Sequence, residues 1–168
     1  WLNINVSTTK SYDTFNLGDS RVGAPLDPVP QFITMHLDRT LLKPVAKMNG
    51  GTGTVQYRRA LDPTVFSTPW SYVDHLLIPP GASVGPSATP GMSEAYYVMG
   101  GSGTVTVAGE TAPIGTGDAI PVDVGQSRAL KATGSQPLEL LVVGVARDMA
   151  AKAAFVAATR PARAGGRQ

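Results

Sequence analysis

The sequence predicts a single, mainly β domain made of short strands and tight turns. Of its 168 residues, 19 are glycine and 14 are proline, while only 15% are charged. This balance favours many short strands over a helical protein. From residue 71 onward, short β-rich runs bounded by Gly, Pro or Asp recur: YVDHLLI, EAYYVM, TVTVA, AIPV and LELLVVGVA. Their spacing predicts a sandwich or small barrel of antiparallel strands.

The first half of the chain is less regular. Residues 1–30 are polar and rich in turn residues, and the prolines of VGAPLDPVP exclude a long helix, so we expect an extended N-terminal arm. Residues 31–37 and 54–59 alternate well enough to predict two early strands. Between them we expect a short helix over residues 39–48, interrupted by Pro44.

The second half ends in a helix. MGGSGTVTVAGET predicts a strand, a turn, a strand and a second turn at residues 108–110. Residues 147–160 are rich in alanine and predict a terminal helix that Pro161 stops, with a frayed tail beyond it. We therefore divide the chain into an arm (1–30), a β domain (31–146), and a C-terminal helix with its tail (147–168).

Composition excludes several classes of function. The net charge is +2 and the basic residues are scattered, apart from three arginines at the C-terminal end, so no stripe for nucleic acid is visible. The absence of cysteine excludes disulfides and thiolate chemistry. The longest apolar run, residues 138–146, contains Glu139 and is far shorter than the ~20 residues of a spanning helix. We expect a soluble protein, with cytoplasm and periplasm both open and neither nucleic acid nor membrane as partner.

Two ordered motifs carry a family resemblance. The first is PGASVGPSATPGMSEAYYVMGG, and the second, after the predicted hairpin, is GDAIPVDVGQSRALKA. Their glycine and glutamate spacing over about residues 71–146 resembles the cupin superfamily. The resemblance implies a cupin-type jelly-roll β-barrel, a small-molecule ligand at the inner end of the barrel, and a homodimer. It does not select a reaction, because function depends on the site rather than on the fold.

The motifs lack the usual metal ligands. In metal-binding cupins three histidines and one glutamate converge on a transition metal. Here Ser87, Thr89 and Arg128 stand at the histidine positions, Asp123 replaces the usual proline, and Glu94 alone is retained. Hydroxyls hold transition metals poorly and a guanidinium repels them. We therefore expect a degenerate metal site and no cofactor.

The motif positions predict a polar cluster inside the barrel. If the registers follow the family, strand alternation points five side chains inward: Ser87, Thr89, Glu94, Tyr96 and Arg128. One interpretation makes Glu94 a general base and Arg128 the group that binds an anionic substrate or oxyanion. The alternative is a closed salt bridge between Glu94 and Arg128 in place of the metal.

Three further residues are weaker candidates. His75 directly precedes the first motif and could be a second acid or base, although a histidine packed in the core or at a subunit contact is the alternative. Arg58 and Arg59 must face opposite ways on a strand, and we assign Arg58 to the ligand, with a solvated or dimer-facing edge as the alternative for the pair. His36 lies outside both motifs.

These features leave three functions open. The leading hypothesis is a metal-independent proton-transfer enzyme, an isomerase, cyclase or lyase, that acts on a small organic or anionic substrate. The second is a non-catalytic ligand-binding or sensory cupin. The third is a rebuilt metal site that uses Glu94 with His75 or His36 in a dioxygenase or hydrolase.

Overall fold

The computed structural model describes residues 37–159 and two short strands that precede them. The strands are β1 (Ile4–Asn5), β2 (Ile33–Thr34), β3 (Lys43–Ala46), β4 (Thr54–Leu61), β5 (Trp70–Ile78), β6 (Ser83–Ser87), β7 (Met92–Gly100), β8 (Ser102–Val107), β9 (Glu110–Gly115), β10 (Ala119–Val122), β11 (Arg128–Ala132) and β12 (Leu138–Ala146). One helix, α1 (Met149–Thr159), follows them. The predicted arm, except for β1, and His36 lie outside the described residues.

Within residues 37–159 the strands form two antiparallel sheets. The larger has the order β10-β7-β12-β5-β4-β3, and the smaller has the order β6-β11-β8-β9. The short strands β1 and β2 pair with each other in parallel. Apolar side chains from both sheets form one core, which confirms the mainly β, jelly-roll prediction. No helix in the described part of the chain is long and apolar enough to span a membrane.

Alternation along the central strands builds this core. On β12, Leu138, Leu140 and Val142 are buried, and on the neighbouring β5, Tyr72 and Leu76 are buried on the same face. Because successive side chains point to opposite faces, every second residue of each strand enters the space between the sheets. The same alternation of side chains along each strand determines which polar residues face the space between the sheets.

The predicted hairpin is confirmed. Strands β8 and β9 pair from Ser102 to Gly115, with Val107 opposite Glu110. Ala108 and Gly109 form the two-residue turn and both have positive φ, 50° and 89°. This is the geometry of a type I′ turn, whose twist matches the flanking strands.

Two motif glycines are required by close backbone approach. A Cβ on Gly85 would lie 2.1 Å from the carbonyl oxygen of Asn49. Gly101 has φ of +77°, and a Cβ there would lie 2.1 Å from the carbonyl oxygen of Pro137. The glycine spacing of the first motif therefore allows backbone segments to pack where a side chain would not fit.

The helix predicted over residues 39–48 is wrong, whereas the terminal helix is confirmed. The segment forms a 3-10 turn (Arg39–Leu41), the edge strand β3 and a second 3-10 turn (Met48–Gly50). Pro44 has no N–H to donate, which disfavours a helix interior but is tolerated on an edge strand. The segment around Pro44 therefore forms an edge strand rather than a kinked helix. At the C-terminal end, Asp148 accepts a 2.7 Å hydrogen bond from the N–H of Ala151 and caps α1.

Candidate functional site

A cavity of about 180 Å³ lies between the two sheets. Two carboxylates, two guanidiniums and three phenols are among its lining side chains: Asp74, Glu94, Arg59, Arg128, Tyr57, Tyr72 and Tyr96. Asn49 and Thr89 add polar side chains, and the other lining side chains are apolar: Met48, Leu76, Val84, Leu130, Val142 and Phe155. A few convergent polar groups within an apolar wall are typical of a small-molecule site.

Glu94 and Arg128 form the first ion pair of this cavity. Glu94 lies on β7 of the larger sheet and Arg128 begins β11 of the smaller one, so the pair joins the two sheets. The arginine Nε lies 2.7 Å from Oε2, and Nη2 donates to Oε1 at 3.0 Å. Only 4% of the Glu94 side chain is exposed. A carboxylate buried this deeply is held charged at little cost only when donors surround it.

Hydroxyl groups supply the other donors to Glu94. Tyr96 donates to Oε2 at 2.8 Å and Thr89 donates to Oε1 at 3.1 Å. The Tyr72 hydroxyl also donates to Oε1. Burial and the Glu94 charge together raise the pKa values of Tyr72 and Tyr96, so both phenols stay protonated as donors. With the bond from Arg128, the carboxylate accepts four hydrogen bonds.

The guanidinium of Arg128 is equally occupied. Its Nε donates to the Tyr96 hydroxyl at 2.7 Å, and its Nη1 donates to the backbone oxygen and the Oγ of Ser87 at 2.6 and 2.9 Å. Its Nη2 donates to Thr89 at 3.1 Å as well as to Glu94. A guanidinium has five N–H groups, and these five bonds use all of them.

A second ion pair faces the same cavity. Arg59 on β4 donates to both oxygens of Asp74 on β5, at 2.9 and 3.0 Å, and Tyr57 donates to Asp74 at 3.0 Å. Burial raises the pKa of Asp74, while the bonds from Arg59 oppose that rise. The Arg59 guanidinium lies 4.3 Å from the ring centroid of Tyr72 and 5.4 Å from that of Phe155.

Helix α1 covers one side of the cavity. Its Phe155 packs against the Tyr72 ring, with the two centroids 5.3 Å apart. On the same helix the buried Lys152 donates to three backbone carbonyls that precede or begin β5, those of Phe66, Thr68 and Trp70, at 2.5 to 2.7 Å. These bonds attach α1 to the barrel and so hold Phe155 at the wall of the cavity.

The structure brings together all five residues predicted from the motifs. Ser87, Thr89, Glu94, Tyr96 and Arg128 form one hydrogen-bonded cluster. Both interpretations of Glu94 and Arg128 required this convergence. The salt bridge of the second interpretation is present, and the cluster also opens on a cavity, as the first requires.

His75 and Arg58 are not brought to this cluster. His75 is buried on the opposite face of β5, where its Nε2 lies 2.8 Å from Oε1 of Glu139, whose carboxylate also accepts from Arg39. Arg58 is paired directly with His75 across β4 and β5 and so shares that face. The phase of β4 sends Arg59 into the cavity instead, which corrects our choice between the two arginines.

Sequence reasoning missed the remaining cavity residues. Tyr57, Tyr72 and Asp74 lie before the recognisable motifs or at their edge, and Phe155 lies after them. For Tyr72 and Asp74, strand phase is a signal that could have found them. Once Glu94 is placed inward, its pairing with Gly144 on β12, and the pairing of Gly144 with Tyr72 on β5, put Tyr72 and then Asp74 on the inner face.

The donor set does not fit a transition metal. Three hydroxyls and a guanidinium donate to Glu94, and the guanidinium of Arg128 also bonds to Ser87 and Thr89. A protein cation therefore already lies among these side chains, where it would repel a metal ion. Among the described residues no group of three or more His, Asp or Glu side chains could hold a metal ion. His75, one member of the rebuilt-metal hypothesis, faces away from Glu94.

Comparison with known proteins settles the family. A family model for the cupin domain matches residues 74–144. The oxalate-binding protein of Thermotoga maritima is 32% identical over 99 residues, which cover 59% of this chain and 82% of that protein. The chain belongs to the cupin family. The matched region contains the motif glycines, Glu94 and the polar cluster around Arg128.

Solved cupin structures agree with this assignment. The crystal structure of a predicted oxalate decarboxylase from Thermotoga maritima matches with a TM-score of 0.62 and 29% identity, over 67% of this chain and 99% of that one. A Cupin 2 conserved barrel domain protein from Salinispora arenicola matches with a TM-score of 0.54 and 19% identity, over 73% and 94%. The second likeness concerns the fold alone.

Proposed function

We propose that this cupin binds a small organic anion in its barrel cavity without a transition metal. The observation that carries the proposal is the guanidinium of Arg128, which hydrogen-bonds to the side chains at the three other metal-ligand positions, Ser87, Thr89 and Glu94. A fixed positive charge from the chain stands where the family places a metal ion. That charge keeps the inner end of the barrel folded and polar without an added cation.

The size of the cavity limits the ligand. Its volume is about 180 Å³, and an apolar cavity of about 150 Å³ is large enough for benzene. Nucleotides and dinucleotide cofactors are much larger than this. A small organic acid fits, and the relative named as an oxalate-binding protein supports the same class of ligand.

Proton-transfer catalysis by Glu94 is the second candidate function. It is favoured by the position of the carboxylate on the cavity wall, with the hydroxyls of Tyr72 and Tyr96 bonded to it as partners for a shared proton. The reaction would be an isomerisation, cyclisation or elimination that needs no metal. Binding ranks first because four hydrogen bonds occupy the lone pairs that a base would use on Glu94.

Calorimetry and thermal unfolding in the presence of a chelator test the primary proposal. Small carboxylates should bind equally well with and without EDTA, and a ligand at 100 times its Kd should stabilise the fold by about 2.7 kcal/mol, or a rise in Tm of roughly 5–10 °C. Loss of binding on chelation, restored by a divalent metal, would contradict the proposal. Product formation that Glu94→Gln abolishes without loss of ligand binding would move the second candidate to first place.

A further inference from the structure

The two guanidiniums of the cavity differ in how many of their donors are used. Arg128 makes five hydrogen bonds within the protein. Within the described part of the chain Arg59 makes two, both to Asp74, through Nε and Nη2. Its Nη1 has no hydrogen-bond partner among the residues that the structure describes. An incoming carboxylate can therefore be bound by Arg59 without breaking an existing bond, whereas Arg128 would have to release one.

Arg59 is also held in place before any ligand arrives. Asp74 fixes one edge of the guanidinium, and Tyr57 holds Asp74 from the side. The planar group lies over the ring of Tyr72 and near that of Phe155, at 4.3 and 5.4 Å from the centroids. Stacking of this kind suits arginine and limits the rotamer entropy lost on binding.

The charges on the cavity wall limit how many anionic groups the ligand can carry. Arg59 and Arg128 contribute two positive charges, and Asp74 and Glu94 balance them with two negative ones. One carboxylate next to Arg59 gives the cavity a single excess negative charge, and the N–H groups of the Arg59 Nη1 stabilise that charge. A second carboxylate would lose its hydration without gaining another charged donor, because the described lining residues offer none besides Arg59 that is not already fully hydrogen-bonded. Its burial would therefore be unfavourable.

Beside the charged groups, the tyrosines and the polar Asn49 and Thr89, the wall of the cavity is apolar. Met48, Leu76, Val84, Leu130 and Val142 line the space and offer no hydrogen bonds from their side chains. Such a surface is best covered by a hydrocarbon body, because burying each methylene of the ligand contributes favourably. A small dianion with no apolar part would leave this surface uncovered.

We propose that Arg59 is the specificity-determining residue of this cavity and that its ligand is a small monocarboxylate with an apolar body. This inference rests on the proposed anion-binding function and narrows its ligand class. It differs from what the name of the Thermotoga maritima relative suggests, because oxalate is a dianion without an apolar part.

Calorimetry with matched probes tests the inference on the unaltered protein. Isovalerate and benzoate should bind at least about 10-fold more tightly than oxalate, and more tightly than the neutral amides of the same two acids, because only an anion gains the charge-assisted bonds. Oxalate binding more tightly than both acids, or amides binding equally well, would overturn the inference while leaving a ligand-binding cupin. Failure of all three acids to bind, with and without EDTA, would overturn the proposed function as well.

Variants of the neighbouring arginines provide a matched control. Arg59→Met should weaken benzoate binding about 10- to 100-fold, the loss expected for a bond to a charged group, while Arg58→Met on the opposite face of β4 should leave it within about 2-fold. Because Arg59→Met leaves Asp74 buried without its partner, the double variant Arg59→Met/Asp74→Asn keeps the cavity neutral and is measured beside it. Wild-type affinity in a folded Arg59 variant, or an equal loss in Arg58→Met, would refute the assignment.

Discussion

The ion pair between Glu94 and Arg128 makes a quantitative prediction about stability. Arg128→Met removes the cation but leaves the Glu94 carboxylate in the core, with 4% of its side chain exposed and only hydroxyl donors remaining. Breaking a buried pair from one side costs about 3–5 kcal/mol. Glu94→Gln removes the carboxylate charge and leaves the guanidinium of Arg128, whose side chain is 13% exposed. Because this charge is less deeply buried, we expect a smaller loss of stability, about 2–4 kcal/mol.

The double variant distinguishes an ion pair from two independent contributions. With both charges gone, no uncompensated charge is buried, so Glu94→Gln/Arg128→Met should lose less than the sum of the single losses by at least about 2 kcal/mol. Independent effects would sum to about 5–9 kcal/mol, which is comparable with the whole stability of a typical domain, about 5–15 kcal/mol.

Urea unfolding measures these differences. The free energies of unfolding of the wild type, both single variants and the double variant should be compared at equal m-values, so that midpoint shifts report stability alone. Arg147→Met is the control, because Arg147 forms an exposed ion pair with Asp148 at 3.1 Å and its removal should leave the midpoint unchanged. Single losses that add to within about 0.5 kcal/mol of the double loss would refute the account of a mutually dependent pair.

Three further predictions concern the cluster around Arg128, helix α1 and the Glu139 carboxylate. Replacing Ser87, Thr89 and Arg128 together by histidine should create a site that binds one Co²⁺ or Zn²⁺ with Glu94, because the four side chains converge in the structure. The visible spectrum of bound Co²⁺ reports this binding, and no metal uptake in the folded triple variant would contradict the convergence. Lys152→Met should lower the urea midpoint by an amount equivalent to about 1–3 kcal/mol, because three backbone carbonyls lose their hydrogen-bond donor. An unchanged midpoint would show that these carbonyls accept hydrogen bonds from other donors in the variant. Hydrogen bonding from Arg39 holds the pKa of Glu139 below its usual value of 4.5, so the stabilisation is present above pH 4.5 and is lost as the pH falls through the lowered pKa. Glu139→Gln should therefore flatten the decline in wild-type stability below pH 4.5, and parallel pH curves for the two proteins would exclude this source.

Prediction from sequence succeeded where local patterns decide the outcome. The turn at Ala108 and Gly109 follows from a short loop between two alternating runs. The convergence of Ser87 and Arg128 follows from two motifs whose positions in the barrel are set by the family fold. In both cases the information lies within a few residues or within a recognisable motif.

It failed where the phase of a strand had to be known in advance. Arg58 and Arg59 are adjacent on β4, so the pattern identified the pair but not the inward member, and the pairing of β4 with β5 decides that Arg59 faces the cavity. The sequence predicts His75 as a site residue because it directly precedes the first motif, yet its neighbour Asp74 is the residue that faces the cavity. A change of one residue in register exchanges the faces of an entire strand.

Composition, alternation and motif spacing are local properties of the amino-acid sequence, and they were enough to predict the mainly β architecture, the terminal helix and the convergence of Ser87, Thr89 and Arg128. The tertiary structure was needed to show that Arg128 uses all its donors, whereas Nη1 of Arg59 has no hydrogen-bond partner among the described residues. That difference depends on partners far apart in the chain, such as Glu94 for Arg128, and on the strand register that brings them within bonding distance.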